Sequence, residues 1–181
     1  MTARIVVGVT GGIAAFKVAA TVSKLVQAGH SVDVVLTENA HQFVGPATFA
    51  ALCGRAPVTE IFDSRYPFGA HIELAEQANL LLIAPATARI LASCASGASD
   101  DLLSTLYLAC ECPVLMAPAM SSSMWRKPAV TRNVDQLQKD GVQMIGPESG
   151  WLSCRKHGEG RMAEAETILE AIFACLTNKS A

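Results

Sequence analysis

Arg4-Ile-Val-Val-Gly-Val9-Thr10-Gly11-Gly12-Ile13-Ala14-Ala15-Phe16-Lys17 joins a β-branched run to a glycine pair and then to an alanine-rich helical pattern. Valine and isoleucine suit a packed, pleated strand, so Arg4–Val9 reads as a strand. Gly11–Ala28 reads as the helix that follows, with Ala, Val and Leu gathered on one face. Backbone amides at the start of that helix would face an anion, with the Thr10 hydroxyl as a further donor. The same loop also suits a plain strand-to-helix turn. Its glycine spacing is not G-x-G-x-x-G, which discounts a nicotinamide dinucleotide fold.

The alternation continues outward. Ser31–Leu36, Asn79–Ala84, Pro113–Ala117 and Val142–Ile145 read as strands, the central ones almost wholly apolar. Between them lie helical readings at Asn39–Val44, Ala47–Cys53, His71–Gln77, Thr87–Ala95, Asp100–Cys110 and Pro128–Asp140, with Met162–Leu176 closing the chain. Pro57–Phe62 reads as a brief extended piece before the loop 63–69. Ser96 and Gly97 end one helix, Ser99 is expected to cap the next, and Pro128 opens another at its first turn. Apolar strands separated by helices predict an α/β fold, a parallel sheet covered on both faces in three layers. Without repeats or linkers, the expectation is a single domain over 1–181.

Composition narrows the function classes. The chain has 181 residues, 51% hydrophobic and only 17% charged, which suggests buried subunit interfaces and hence a homo-oligomer. A net charge of -2 argues against nucleic acid. No apolar run approaches the length of a membrane span, and the N-terminus carries no signal-peptide design. The six cysteines, Cys53, Cys94, Cys110, Cys112, Cys154 and Cys175, form no disulfide framework and suggest reduced thiols in the cytoplasm. Cys110-Glu-Cys112 has no second pair or histidine at ligand spacing, so no metal is expected.

In such a sheet, ligands sit beyond the carboxyl ends of the strands. Five further stretches fall there or near there. Thr37-Glu38-Asn39 ends the second strand with polar groups. Ala84-Pro85-Ala86-Thr87-Ala88-Arg89-Ile90 and Ala117-Pro118-Ala119-Met120-Ser121-Ser122-Ser123-Met124-Trp125 end the next two. Their small residues let a flat ring lie against the backbone, and the prolines are expected to stop the ladder. His71 stands at the head of a helix, where the dipole favours the neutral base form. Last, Gly150-Trp-Leu-Ser-Cys154-Arg-Lys-His-Gly158-Glu-Gly160-Arg161-Met162 places a thiol in a glycine-rich segment, read as a mobile flap over about 147–162.

Taken in order, Gly11-Gly12-Ile13-Ala14-Ala15-Phe16-Lys17, His71-Ile-Glu-Leu-Ala, Ala84-Pro-Ala-Thr-Ala, Ser99-Asp-Asp-Leu-Leu, Pro118-Ala-Met-Ser-Ser-Ser-Met-Trp125 and Cys154…Gly160-Arg-Met162 resemble the flavin-containing cysteine decarboxylases. The resemblance runs from about residue 4 to residue 162. It implies a flavodoxin-like (Rossmann-like) domain that binds FMN and assembles as trimers or dodecamers, with the site between subunits. It places Thr10, Gly11, Gly12, Ile13, Thr37, Glu38, Asn39, Thr87, Ala88, Arg89, Ile90 and Ala119 against FMN. Met120, Ser121 and Arg161 would meet substrate, with His71 and Cys154 catalytic. Cys154 matches the coenzyme A branch of the family, which decarboxylates 4'-phosphopantothenoylcysteine to 4'-phosphopantetheine. That branch works through a thioaldehyde and an ene-thiol, which is then reduced, the cysteine supplying a proton.

Three positions depart from the family pattern. Ser121 stands where an asparagine is expected to bind the substrate carboxylate, a hydroxyl in place of an amide. Ser122 and Ser123 are candidates to compensate. Arg89-Ile90 replaces Asn-Thr, and Arg89 is suited to bidentate phosphate binding, on FMN or on substrate. Arg155 replaces a glycine beside the flap thiol. The alternatives left open are a peptidyl-cysteine substrate and a non-decarboxylating flavin reductase or binding subunit. Within coenzyme A synthesis, the ligase is expected to be a separate protein.

Overall fold

The computed structural model describes residues 2–178; the ends of the 1–181 span lie outside the described residues. In chain order the elements are β1 (Arg4–Val9), α1 (Ala15–Gln27), β2 (Ser31–Leu36), α2 (Pro46–Cys53), α3 (Ala70–Gln77), β3 (Leu80–Ala86), α4 (Ala88–Ser96), α5 (Leu102–Ala109), β4 (Val114–Pro118), α6 (Ser122–Trp125), α7 (Pro128–Lys139), β5 (Gln143–Met144), β6 (Glu148–Trp151), β7 (His157–Arg161) and α8 (Ala165–Asn178). The first five strands form one parallel sheet in the order β2-β1-β3-β4-β5.

Strand periodicity divides the apolar residues between two cores. Ile5, Val7, Val9, Leu80, Leu82, Ala84, Leu115 and Ala117 pack with α1, α2 and α8 on one face. Val6, Leu81, Ile83 and Met116 pack with α3, α4, α5 and α7 on the other. Successive strand residues point to opposite faces, so a sheet covered on both sides needs apolar residues at every position. This is the flavodoxin-like α/β architecture. The strand order reverses between β1 and β3, and at such a switch point the chain leaves in opposite directions and opens a crevice at the carboxyl ends.

Several local expectations are corrected. Residues 11–14 form a turn, and the first helix begins at Ala15. The predicted helix at Asn39–Val44 is a 3-10 turn over Glu38–Gln42. Pro57–Phe62 contributes a one-residue bridge, Val58 beside Val35. Asp101, not Ser99, caps α5: its carboxylate accepts from the Ser104 amide at 2.8 Å while the Ser104 hydroxyl accepts from the Asp101 amide at 3.2 Å. The reciprocal pair satisfies two helix-end donors at once, which a lone serine cannot do. Pro85 does not stop β3. The ladder shifts register after Ile83 and resumes with Ala86 beside Pro118.

The largest departure is the flap. It is an antiparallel hairpin of β6 and β7. Its residues are glycines, charges and one tryptophan, so the two-residue apolar alternation that announces a strand is missing.

Candidate functional site

A cavity of about 640 Å³ opens at the carboxyl ends of β1, β3 and β4. Thr10 to Ile13 form one wall, Thr87 to Ile90 another, and Ala119 to Ser121 the floor beside them; the hairpin covers it with Leu152 to Cys154 and Gly160 to Met162. Thr37 and Asn39 complete the rim from the end of β2.

The β1–α1 turn is fixed from below. The Thr10 hydroxyl, buried, donates to the Pro85 carbonyl at 2.6 Å and lies 3.2 Å from the Thr87 hydroxyl. It therefore braces two strand ends rather than serving as a donor to a ligand, as the sequence had suggested. A Cβ on Gly11 would lie 2.4 Å from the Asn39 Cβ and 2.8 Å from its backbone carbon, so only glycine lets the turn pass. The Gly12 amide donates to the Thr10 carbonyl at 3.0 Å, whereas the amides of Gly11, Ile13 and Ala14 meet no backbone carbonyl among the described residues. Those amides stand available at the turn.

Charge is distributed unevenly around the wall. Lys17 pairs with Glu164 at 3.0 Å, and Arg161 pairs with the same carboxylate. The Lys17 ammonium, then the Arg161 guanidinium, hold Glu164 below the ordinary carboxylate range. Arg89 lines the cavity with no ion-pair partner among the described residues. Asp101 is the acidic side chain of the lining, and its carboxylate is engaged by Ser104.

The hairpin is held against the β4–α6 segment by close backbone contact. The Met120 amide donates to the Gly160 carbonyl at 2.9 Å, and the Ser122 hydroxyl to the Glu159 carbonyl at 2.5 Å. A Cβ on Gly160 would sit 2.2 Å from the Met120 oxygen, and one on Gly158 2.5 Å from the Ser122 hydroxyl. These glycines permit docking, where the sequence alone suggests mobility. Cys154, exposed near the tip, lines the cavity. Of the three serines, Ser122 is committed to the hairpin, while Ser121 and Ser123 bond each other at 3.1 Å. Ser121 faces the cavity.

Two expected site residues lie elsewhere. Glu38 lines a neighbouring hollow with His41, Glu60 and Phe62. His71, at the start of α3, is not on the cavity wall, and its Nδ1 is buried without a hydrogen-bond partner. In the same stretch of chain, Phe62, Phe68 and Ile72 are exposed, Phe62 at 91%. Sequence reading left out Lys17, Ser93, Asp101 and Trp151 as lining residues. Ser93 lies one helical turn beyond Arg89 on the face that lines the cavity, which is a usable signal, and Lys17 lies in the first turn of the helix that follows the glycine pair. The Cys110 thiol is hydrogen-bonded to Cys112, which pushes it up, and no cluster of three metal-ligating side chains occurs among the described residues. No helix among the described residues is long and apolar enough to cross a membrane.

The sequence pattern of the flavoprotein family matches residues 1–177. The chain belongs to the flavoprotein family. It is 48% identical over 165 residues to the coenzyme A biosynthesis bifunctional protein CoaBC of Mycolicibacterium smegmatis, covering 91% of this chain and 40% of that one. CoaBC of Bacillus subtilis is 45% identical over 163 residues, 90% of this chain and 40% of the relative. The chain thus spans about two-fifths of the length of these curated relatives. Among solved structures, the FMN-dependent cysteine decarboxylase SpaF superposes with a TM-score of 0.87 at 35% identity, covering 99% of this chain and 98% of that one. A PPC decarboxylase mutant complexed with pantothenoylaminoethenethiol gives 0.86 at 25% identity, covering 96% and 98%. The cavity suits a flavin: a glycine turn with unpaired amides, small residues at Ala88 and Ala119, and a predominantly cationic rim.

Proposed function

We propose that this flavoprotein binds FMN in the cavity and decarboxylates 4'-phosphopantothenoylcysteine, the step of coenzyme A synthesis that yields 4'-phosphopantetheine. The observation that carries the reading is Cys154 on the hairpin, lining a cavity of about 640 Å³ at the switch point of the sheet. Likeness to CoaBC and to a PPC decarboxylase supports the same substrate.

Bound FMN supplies reversible two-electron chemistry at the substrate's cysteine-derived carbons. The protein's part is to hold, orient and protonate. Gly11, Gly12 and Ile13 offer backbone amides, Thr37, Asn39 and Thr87 offer polar side chains, and Ala88, Ile90 and Ala119 offer flat apolar surface. Ser121 donates its hydroxyl to the substrate carboxylate until that group leaves, with Met120 beside it; Ser123 orients the hydroxyl. The Cys154 thiol delivers a proton to the decarboxylated carbon, and the nearby Arg155 and Lys156 stabilise the thiolate left behind. Arg161, steadied by Glu164, holds the hairpin's return strand against the site.

His71 acts as acid or base from a neighbouring copy. Phe62, Phe68 and Ile72, in the chain segment that carries His71, are exposed apolar side chains, and Ile13, Phe16, Met124 and Trp151 make an apolar set around the cavity mouth, all at least 39% exposed. These two different apolar surfaces meeting on successive copies form a head-to-tail contact, which closes into a ring such as a trimer. Each ring contact then brings one copy's His71 to the next copy's cavity.

Mass spectrometry of 4'-phosphopantothenoylcysteine incubated with the FMN-loaded protein tests the reaction. Loss of carbon dioxide alone is the expected result. Loss of carbon dioxide with two hydrogens would mean the return reduction fails, and an unchanged substrate would refute the assignment. Cys154→Ser should accumulate the ene-thiol, and His71→Asn should keep FMN but stop turnover. Neither His71→Asn nor Cys154→Ser subunits alone should yield 4'-phosphopantetheine; mixing them should restore that product in mixed rings, and no restoration would place His71 outside the shared site.

A further inference from the structure

We propose that Cys110 and Cys112 form a reversible dithiol–disulfide couple, a redox site separate from the cavity that takes a small-molecule disulfide as its oxidant. Neither thiol lines the cavity, and no third side chain joins them to hold a metal: no cluster of three metal-ligating side chains occurs among the described residues. The two stand instead in hydrogen-bond contact with each other.

Local structure makes that contact. Helix α5 ends at Ala109, and Cys110 leaves it in extended form, with φ -75° and ψ 127°, its amide still donating to the Leu106 carbonyl at 3.0 Å. Pro113 follows, and the residue before a proline is driven away from helical geometry. In an extended chain, residues two apart lie on the same side. Glu111 between them is exposed, while Cys110 and Cys112 are half-buried against the core that α3, α4, α5 and α7 share. The fold thus holds the pair together and leaves it reachable from solvent.

The two sulfurs take different parts. The bond to Cys112, and then burial, push the Cys110 thiol up, so Cys110 is the member that keeps its proton and Cys112 the attacking sulfur. The Cys112 thiolate attacks one sulfur of the small disulfide, forming a mixed disulfide and releasing one thiol. Cys110 then gives up its proton, attacks the Cys112 sulfur and releases the second. Two protein thiols are oxidised, one disulfide is reduced, and the two protons end on the released thiols. A ring of so few atoms departs from relaxed disulfide geometry, and strained disulfides are the readily reduced ones, so the couple is reversible. Cys112 precedes β4, at the end of the sheet away from the cavity, which separates the pair from Cys154.

The test equilibrates the full chain in glutathione buffers of rising oxidising strength, quenches in acid, alkylates, and maps the cysteines by mass spectrometry. Cys110 and Cys112 should lose alkylation together, with no glutathione left on either. They should pass from about a tenth to about nine-tenths oxidised over a roughly hundredfold rise in glutathione disulfide relative to the square of glutathione. Cys110→Ser removes the resolving thiol and should trap Cys112 as its glutathione adduct, whereas Cys112→Ser should leave at least about tenfold less adduct on Cys110. Pairing should persist in Cys154→Ser, as expected of a couple independent of the cavity thiol. Two thiols that stay alkylatable throughout, a single adduct held on the unsubstituted pair, a disulfide from either cysteine to another residue, equal adducts in the two serine variants, or loss of pairing in Cys154→Ser would overturn the proposal.

Discussion

Glycines carry both walls of the cavity, but Gly11 sits in a turn rooted in the central sheet, whereas Gly158 and Gly160 sit in a hairpin laid over it. Each would place a Cβ well inside contact distance: Gly11 at 2.4 Å from the Asn39 Cβ, Gly160 at 2.2 Å from the Met120 oxygen. The surroundings differ. Behind Gly11 stand β1, the Thr10–Pro85 bond and the fully buried residues of the sheet. Behind Gly160 stand one backbone bond to Met120, one serine hydroxyl and a two-stranded ladder outside the main sheet. Similar steric lesions should therefore have different reach, global on one wall and local on the other.

Gly11→Ala is expected to have the largest effect on stability. The turn and Asn39 cannot both keep their places, and the strain falls on elements joined to the core. A loss of about 2–3 kcal/mol, or a drop of roughly 5–10 °C in melting midpoint, is the expected outcome by calorimetry. A midpoint unchanged within a degree would mean that the 37–39 segment moves freely, and the contrast would collapse.

Gly160→Ala comes next. Its φ of 117° disfavours any side chain, and the new methyl meets backbone rather than a flexible tip. The hairpin should undock as a unit, with little loss of global stability. Hydrogen exchange should quicken at Met120 and through β6 and β7, while β1, β3 and β4 keep their protection. Cys154 should lose its place over the cavity and turnover should fall at least tenfold. Quickened exchange in β1 as well would show that the hairpin is part of the cooperative core.

The contrast also explains what could be read in advance. The sheet was legible because every central strand is apolar on both faces and each is followed by a helix pattern. The β1–α1 turn was legible because paired glycines follow such a strand directly. The hairpin was not: its glycines serve contacts with Met120 and Ser122, residues distant in sequence, and nothing within Gly150–Met162 announces that partner. His71 was legible as a residue type and not as a place. Its position off its own chain's cavity follows from where the fold sets α3, and no local pattern around His71 announces that. Asp101 was hidden behind Ser99, since only the reciprocal bond with Ser104 distinguishes the two as caps.

Asp101→Ala sharpens the rigid side of the comparison. It removes the cap of α5, and the expected cost is about 1 kcal/mol, or roughly 2–4 °C in midpoint. Exchange in the hairpin should stay as it was, because α5 does not hold it. Asp101→Asn, a good cap in its own right, should restore most of the loss; failure to do so would mean the carboxylate's charge matters more than its bond to Ser104.

The smallest expected effect lies at the hairpin tip. Arg155 has a φ of 61°, a left-handed conformation that an L side chain adopts at a cost of about 1–2 kcal/mol. Arg155→Gly removes that cost and adds back some freedom to the unfolded chain, about 0.5–1 kcal/mol in the other direction. The balance favours the folded tip by less than about 1 kcal/mol, and it acts only on the turn closed by the Arg155 amide on the Leu152 carbonyl at 2.9 Å. Exchange at Arg155 and at Leu152, whose amide donates to the Lys156 carbonyl at 2.8 Å, should slow by up to about fivefold. The global midpoint should stay within about a degree, because the hairpin is local to its wall. Faster exchange in the variant would show that the Arg155 side chain itself holds the turn. The glycine that the family pattern carries at this position would then be a loss to this chain's hairpin, and the charge beside Cys154 a structural element as well as a partner for its thiolate.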